Sequence, residues 1–172
     1  MKLDLQKFGL PGLLILLATV VLFPAPAEAG CTDPARPGVS WVRCLKNQSV
    51  LTNANLEGAV LHGSSFSRGD LSGANLKNVD ARRTKFVSAK LAGADFSGSI
   101  LMESDLTKAD LSGANFSGAD LRKATLFQAN LRGANLTDAK LKGADLWNAD
   151  LSGATWTDGE TVCAEGSIGQ CK

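Results

Sequence analysis

The sequence predicts an all-β solenoid, a chain that turns once every five residues and stacks on itself. Leu or Phe stands at 51, 56, 61 and every fifth position to 156, in register over 22 repeats, with Ala81 and Trp156 the two exceptions. The residue two before each of these centres is small or modest, and is Ala in fifteen cases. Neither a helix nor a flat strand accommodates that spacing. Five residues advance a helix by about 500°, so the centres would spiral around its axis. Alternation along a strand would send successive centres to opposite faces. A turn in every repeat keeps each centre, and the residue two before it, on one inner side.

The chain begins with an address. Lys2 and Lys7 precede an apolar run from Leu10 to Phe23, which Pro24 and Pro26 end before Ala27-Glu28-Ala29. This is the pattern of a secretory signal peptide over residues 1–29, cleaved after Ala29. The run of 14 residues falls short of the roughly 20 that span a bilayer, so no stable membrane insertion is expected after cleavage. The expected location is outside the cytoplasm: the periplasm, with the extracellular space or a thylakoid lumen as alternatives. Loss of the leader removes two basic and two acidic groups and leaves the formal charge at the +1 of the whole chain. Such a balance gives no global electrostatic reason to bind nucleic acid.

Residues 30–48 follow as an irregular N-terminal cap, marked by Asp33, Pro34, Pro37 and Gly38, with Trp41 as its expected plug. The repeats occupy 49–158. Gly stands two after the centre in ten of them, suiting a turn. Asp or Asn stands one before the centre in thirteen, suiting side-chain bonding to nearby backbone. Residues 159–172 form a C-terminal cap, with Trp156 as the plug at that end.

In-phase pentads such as Ala114-Asn115-Phe116-Ser117-Gly118 and Ala119-Asp120-Leu121-Arg122-Lys123 resemble those of the pentapeptide-repeat family, over residues 49 to 158. The resemblance implies a right-handed quadrilateral β-helix of about 20 residues per coil, hence about 5.5 coils and a column about 26 Å tall. Residues twenty apart should then stack, Phe66 on Phe86 and Phe96 on Phe116. Ala81, between Leu61 and Leu101, should leave a void, a tightened wall or room for a neighbouring side chain.

Four cysteines, Cys31, Cys44, Cys163 and Cys171, lie outside the 22 repeats. Cys44 and Cys163 are 119 residues apart, which in such a column is about six coils or roughly 28 Å, while a disulfide needs Cα atoms within about 7 Å. The architecture therefore permits only the intrachain bridges Cys31–Cys44 and Cys163–Cys171, each stapling a loop over an open end.

Chemistry is sparse. His62 is the only imidazole; it directly follows a centre and should face solvent. No Cys-x-x-Cys and no phosphate-binding Gly loop occurs. The expectation is a protein that is not an enzyme, with no catalytic residue, cofactor or metal. The residues after the centres form outward columns instead. One reads His62, Arg82, Met102, Arg122, Lys142, a basic strip that Asp80, Glu103 and Asp120 interrupt. Its neighbour ends in Phe127 and Trp147, expected to stack outside the column. Phe127, Trp147, Arg82, Arg122 and Lys142 are thus the candidate partner surface of a non-catalytic exported scaffold, its partner a protein or an anionic envelope component, with no nucleic acid expected. The resemblance supplies an alternative, a DNA mimic that modulates a type II topoisomerase, which the neutral charge and the leader oppose. An envelope enzyme inhibitor or adaptor is a third reading. Capped ends suit a monomer, and the resemblance also allows an end-to-end homodimer.

Overall fold

Each repeat is built around one turn. The carbonyl of the centre accepts the N–H three residues on, as from Ala74 to Leu71 at 3.0 Å. The third residue of that turn has positive φ at every fifth position from Arg43 to Gly153, the signature of a type II turn. A computed structural model describes residues 30–172; the leader expected over 1–29 lies outside the described residues.

The turns direct the chain so that residues twenty apart pair in parallel. The first such pair is Ser40 with Val60 and the last is Asn135 with Thr155. The pairing is dense. Leu71 N–H donates to the Lys90 carbonyl at 2.8 Å, Gly73 N–H to Ala92 at 2.9 Å, and Lys90 N–H to Gly69 at 2.9 Å. Three bonds between coils and one within the turn satisfy most of a repeat's backbone, so a narrow column is left with few orphaned polar groups. The parallel ladder starts at Ser40, inside the segment expected as cap. Val39, Trp41 and Cys44 are buried there, because they already occupy the two inward positions of the five-residue frame. Trp41 is therefore a centre stacked above the first coil's interior, tilted on Phe66 with ring centroids 6.1 Å apart.

The centres define four walls. Wall 1 carries Trp41, Leu61, Ala81, Leu101, Leu121 and Leu141; wall 2 carries Lys46, Phe66, Phe86, Leu106, Leu126 and Leu146. Wall 3 runs from Leu51 to Leu151, and wall 4 from Leu56 to Trp156, both in steps of twenty. Phe66 stacks on Phe86 at 5.5 Å and Phe96 on Phe116 at 5.2 Å. Phe86 meets Phe96 edge-on at 5.9 Å, which joins the two aromatic stacks across the interior. At Ala81 the neighbouring side chain is the one that grows: Val79 replaces the usual Ala two positions earlier, and both are fully buried. Val79 and Ala81 together carry four side-chain carbons where an Ala and Leu pair carries five, so the wall is short by about one methyl group.

The ends are closed differently. Cys31 is bonded to Cys44 with Cα atoms 5.4 Å apart, and Cys163 to Cys171 at 4.9 Å. After Trp156 the chain reverses through a tight turn in which Asp158 accepts the N–H groups of Glu160 and Thr161. It returns antiparallel over the last coil, pairing Thr155 with Val162 and Asp150 with Ile168. Arg132 clamps the return, donating both terminal nitrogens to Glu165 at 2.9 Å and one also to Asp150 at 3.1 Å. Among the described residues no helix is long and apolar enough to cross a membrane.

Candidate functional site

The outward side chains are held by the same grammar that builds the core. In all thirteen repeats with Asp or Asn before the centre, its Oδ1 accepts the N–H two residues on. These are local turns of the kind short polar side chains favour, and they spend on the backbone the carboxylates that a catalytic or metal site would use. Ser72 and Ser152 hydroxyls bond to Asp70 and Asp150 as well and hold those carboxyls below the usual range. No cluster of His, Cys, Asp and Glu suited to a metal ion occurs among the described residues.

The basic strip on wall 1 is less basic than its sequence. Arg82 forks onto Asp80 with Nε and Nη2 at 2.8 and 2.6 Å, and Arg122 forks onto Asp120 at the same distances. Arg83 meets Glu103 at 2.8 Å. The guanidinium hydrogen bonds hold Asp80, Asp120 and Glu103 below the normal carboxylate range and raise Arg82 and Arg122. Arg82 and Arg122 are thus neutralised by their own repeats, since residues one before and one after a centre lie side by side on the outer wall. Lys142 has no ion-pair partner among the described residues. His62 departs from the expectation of a solvent-facing ring. It is half-buried, and its Nδ1 is shielded without a hydrogen-bond partner, because Arg82, Arg83, Met102 and Glu103 wall the shallow depression around it.

Phe127 and Trp147 sit where the five-residue frame places them, one coil apart on the outside of wall 2. Their centroids are 5.7 Å apart and the rings are inclined by 54°. Phe127 is half-buried beneath its neighbour, while Trp147 is 68% exposed. The site is therefore one large exposed ring braced by a second, on a wall fixed by the backbone ladder. Sequence reasoning missed a further aromatic contact: Lys46 holds a centre position and turns its Nζ over the Trp41 ring, 4.1 Å from the centroid. The one signal was the five-residue frame itself, carried two repeats further toward the N-terminus.

Fold and site together define a repeat solenoid whose surface is a set of side-chain columns. The comparisons give it a family. The model named Pentapeptide repeats matches residues 47–78, 82–118 and 119–155, and the chain belongs to the pentapeptide-repeat family. It is accordingly a right-handed quadrilateral β-helix. A pentapeptide repeat protein of the Arabidopsis thaliana thylakoid lumen is 33% identical, with 64% of this chain and 81% of that chain covered and a TM-score of 0.56. HetL from the cyanobacterium Nostoc sp. strain PCC 7120, involved in heterocyst differentiation regulation, is 32% identical over 73% of this chain and 62% of its own, with a TM-score of 0.45. The present chain thus spans less than two thirds of HetL. QnrB1, a plasmid-mediated fluoroquinolone resistance protein, is 22% identical over 67% of this chain and 61% of its own, with a TM-score of 0.42. No curated protein matches the chain by sequence.

Proposed function

We propose that the protein is a non-catalytic exported scaffold that captures a partner protein on the outside of wall 2. The observation that carries this reading is Trp147, a large apolar side chain exposed on a rigid wall and braced by Phe127. Exposed aromatics held in place lose little entropy on binding and are favoured anchors of protein interfaces. Two disulfides support residence in an oxidising compartment, and the periplasm is the compartment proposed. The paired arginines support a protein over an anionic surface as partner, because Arg82 and Arg122 already have their carboxylates. The near-neutral charge weighs against a topoisomerase-binding DNA mimic, which should be acidic.

The test is capture from an envelope extract of the source cells with the mature protein and with the Phe127→Ala/Trp147→Ala variant, the bound proteins identified by mass spectrometry. Loss of one partner in the variant, with melting unchanged within about 1 kcal/mol, supports the assignment. Equal capture by both proteins removes it.

A further inference from the structure

The return segment caps only half of the last coil. It covers wall 4 and wall 3, where Trp156 N–H donates to Thr161, Gly153 N–H to Cys163 and Leu151 N–H to Ser167. The parallel pairs that would continue wall 1 and wall 2, from Lys140 and Asp145 to the next level, do not form among the described residues. The N–H groups of Leu141, Gly143 and Leu146 have no acceptor there, and the carbonyls of Ala139 and Ala144 accept nothing, although their counterparts at every lower level are bonded. Leu141, Ala144 and Leu146 are only partly buried, in contrast to the core residues beneath them. This is a strand edge with unpaired donors, unpaired acceptors and an unfinished apolar interior, the arrangement that receives an added strand.

The charges indicate what the strand carries. Two ion pairs join successive levels of the column: Arg83 with Glu103 and Lys90 with Asp70, each twenty residues apart. Lys140 and Lys142 end their columns with no level above them and no ion-pair partner among the described residues. Lys123 and Lys142 line a depression just below the edge together with Met102, Arg122 and Gly143. A further level of wall 1 that satisfies both inside and outside would alternate apolar residues, over Ala139 and Leu141, with carboxylates, over Lys140 and Lys142.

We propose that the wall 1 edge from Ala139 to Gly143 receives an extended segment of a partner protein that alternates apolar and acidic residues and adds to the last coil as its next strand. This rests on the reading of the chain as a partner-capturing scaffold, and gives the partner's chemistry and its mode of attachment beside Trp147. The probe is a capped ten-residue peptide of alternating Val and Glu. Its controls are the same peptide N-methylated at every Glu, which keeps the charge but removes the N–H groups that the outward residue of each level donates to the level below, and alternating Val and Lys.

Amide exchange of the mature protein, read by two-dimensional NMR, is expected to slow at Leu141 and Gly143 when the Val-Glu peptide binds. Affinity should fall at least about tenfold with the N-methylated peptide and in Lys140→Glu/Lys142→Glu, whose exposed substitutions leave the core untouched. Unchanged affinity on N-methylation, or binding with no protection at Leu141 and Gly143, overturns strand addition. So does the absence of binding at millimolar peptide. A dimer in sedimentation with both amides already protected overturns it in favour of a second copy of this chain. In each of these cases the Phe127→Ala/Trp147→Ala capture experiment still decides the wall 2 reading by itself.

Discussion

Phe96 is the residue whose loss the architecture should feel most. It is fully buried, lies parallel to Phe116 at 5.2 Å with the planes 2° apart, and meets the edge of Phe86 at 5.9 Å. Phe96→Ala removes a ring that the inter-coil ladder prevents the walls from collapsing to replace. Truncating a buried Phe costs about 3–5 kcal/mol, and the two ring contacts, at about 0.5–1.5 kcal/mol each, place this site toward the upper end, about 4–5 kcal/mol. At about 3 °C per kcal/mol for a chain of this size, the melting temperature should drop by about 12–15 °C. The assay is urea unfolding by circular dichroism of the wild type, Phe96→Ala, Phe116→Ala and the double variant. The double-mutant cycle should show a coupling of about 0.5–1.5 kcal/mol. A cost below about 1.5 kcal/mol, or strict additivity of the two substitutions, would refute the stacked interior from which every outer column is deduced.

Four further outcomes follow from particular atoms. Gly113 has φ +64° and nothing within 4 Å of the Cβ it lacks, so Gly113→Ala should cost only the left-handed backbone term of about 1–2 kcal/mol. Conversely, Lys123→Gly at φ +58° should gain up to about 1 kcal/mol, measured in the same urea series. The carboxyls of Asp80, Asp120 and Glu103 are depressed by their arginines, and Asp70 and Asp150 by their serines. Their stabilisation is complete above the unfolded carboxylate pKa of about 4 and is lost as pH falls through the lower folded values; melting temperature measured at pH 7, 4, 3 and 2 should therefore begin to fall only below about pH 4. Replacing Cys163 and Cys171 with Ser opens an eight-residue bridge and should cost about 2–3 kcal/mol. The accompanying acceleration of amide exchange should appear first at Leu151 and Gly153, which donate to the return segment.

The interior was legible because one spacing places every centre. The stacking of Phe66 on Phe86 needs only the five-residue frame and four walls. The turns were half legible. Gly marks ten of them, but Arg43, Arg83, Lys108 and Lys123 adopt the same positive φ. No local preference announces these, because the ladder on either side imposes the conformation and outweighs a cost of about 1–2 kcal/mol each. The start of the ladder within the expected cap was hidden for a related reason. Lys46 breaks the Leu/Phe pattern, while the backbone continues the frame back to Ser40. The pairing of Arg82 with Asp80 was open to inference from the frame, since both flank Ala81 on the outer wall; reading residues down columns instead of across repeats concealed it.

A repeat this regular separates architecture from activity residue by residue. Positions that follow the frame, the Ala and Leu inside and the Asp and Asn outside, are already employed by the backbone: all thirteen Asp and Asn side chains before a centre accept a neighbouring N–H. The proposed recognition surface would then reside where the frame is broken or unfinished. Ala81 is a break, but Val79 fills much of it from within and nothing reaches the surface. Lys46 is a break that Trp41 absorbs. Trp147 follows the frame yet exposes an indole in a column that reads Ser67, Val87, Thr107 and Phe127 at lower levels, and beside it the last coil lacks its next strand over Leu141 and Leu146. The exposed ring and the open edge thus occur at the same end and on adjoining walls, which is why a partner attached there could use a side-chain anchor for affinity and the backbone ladder for alignment.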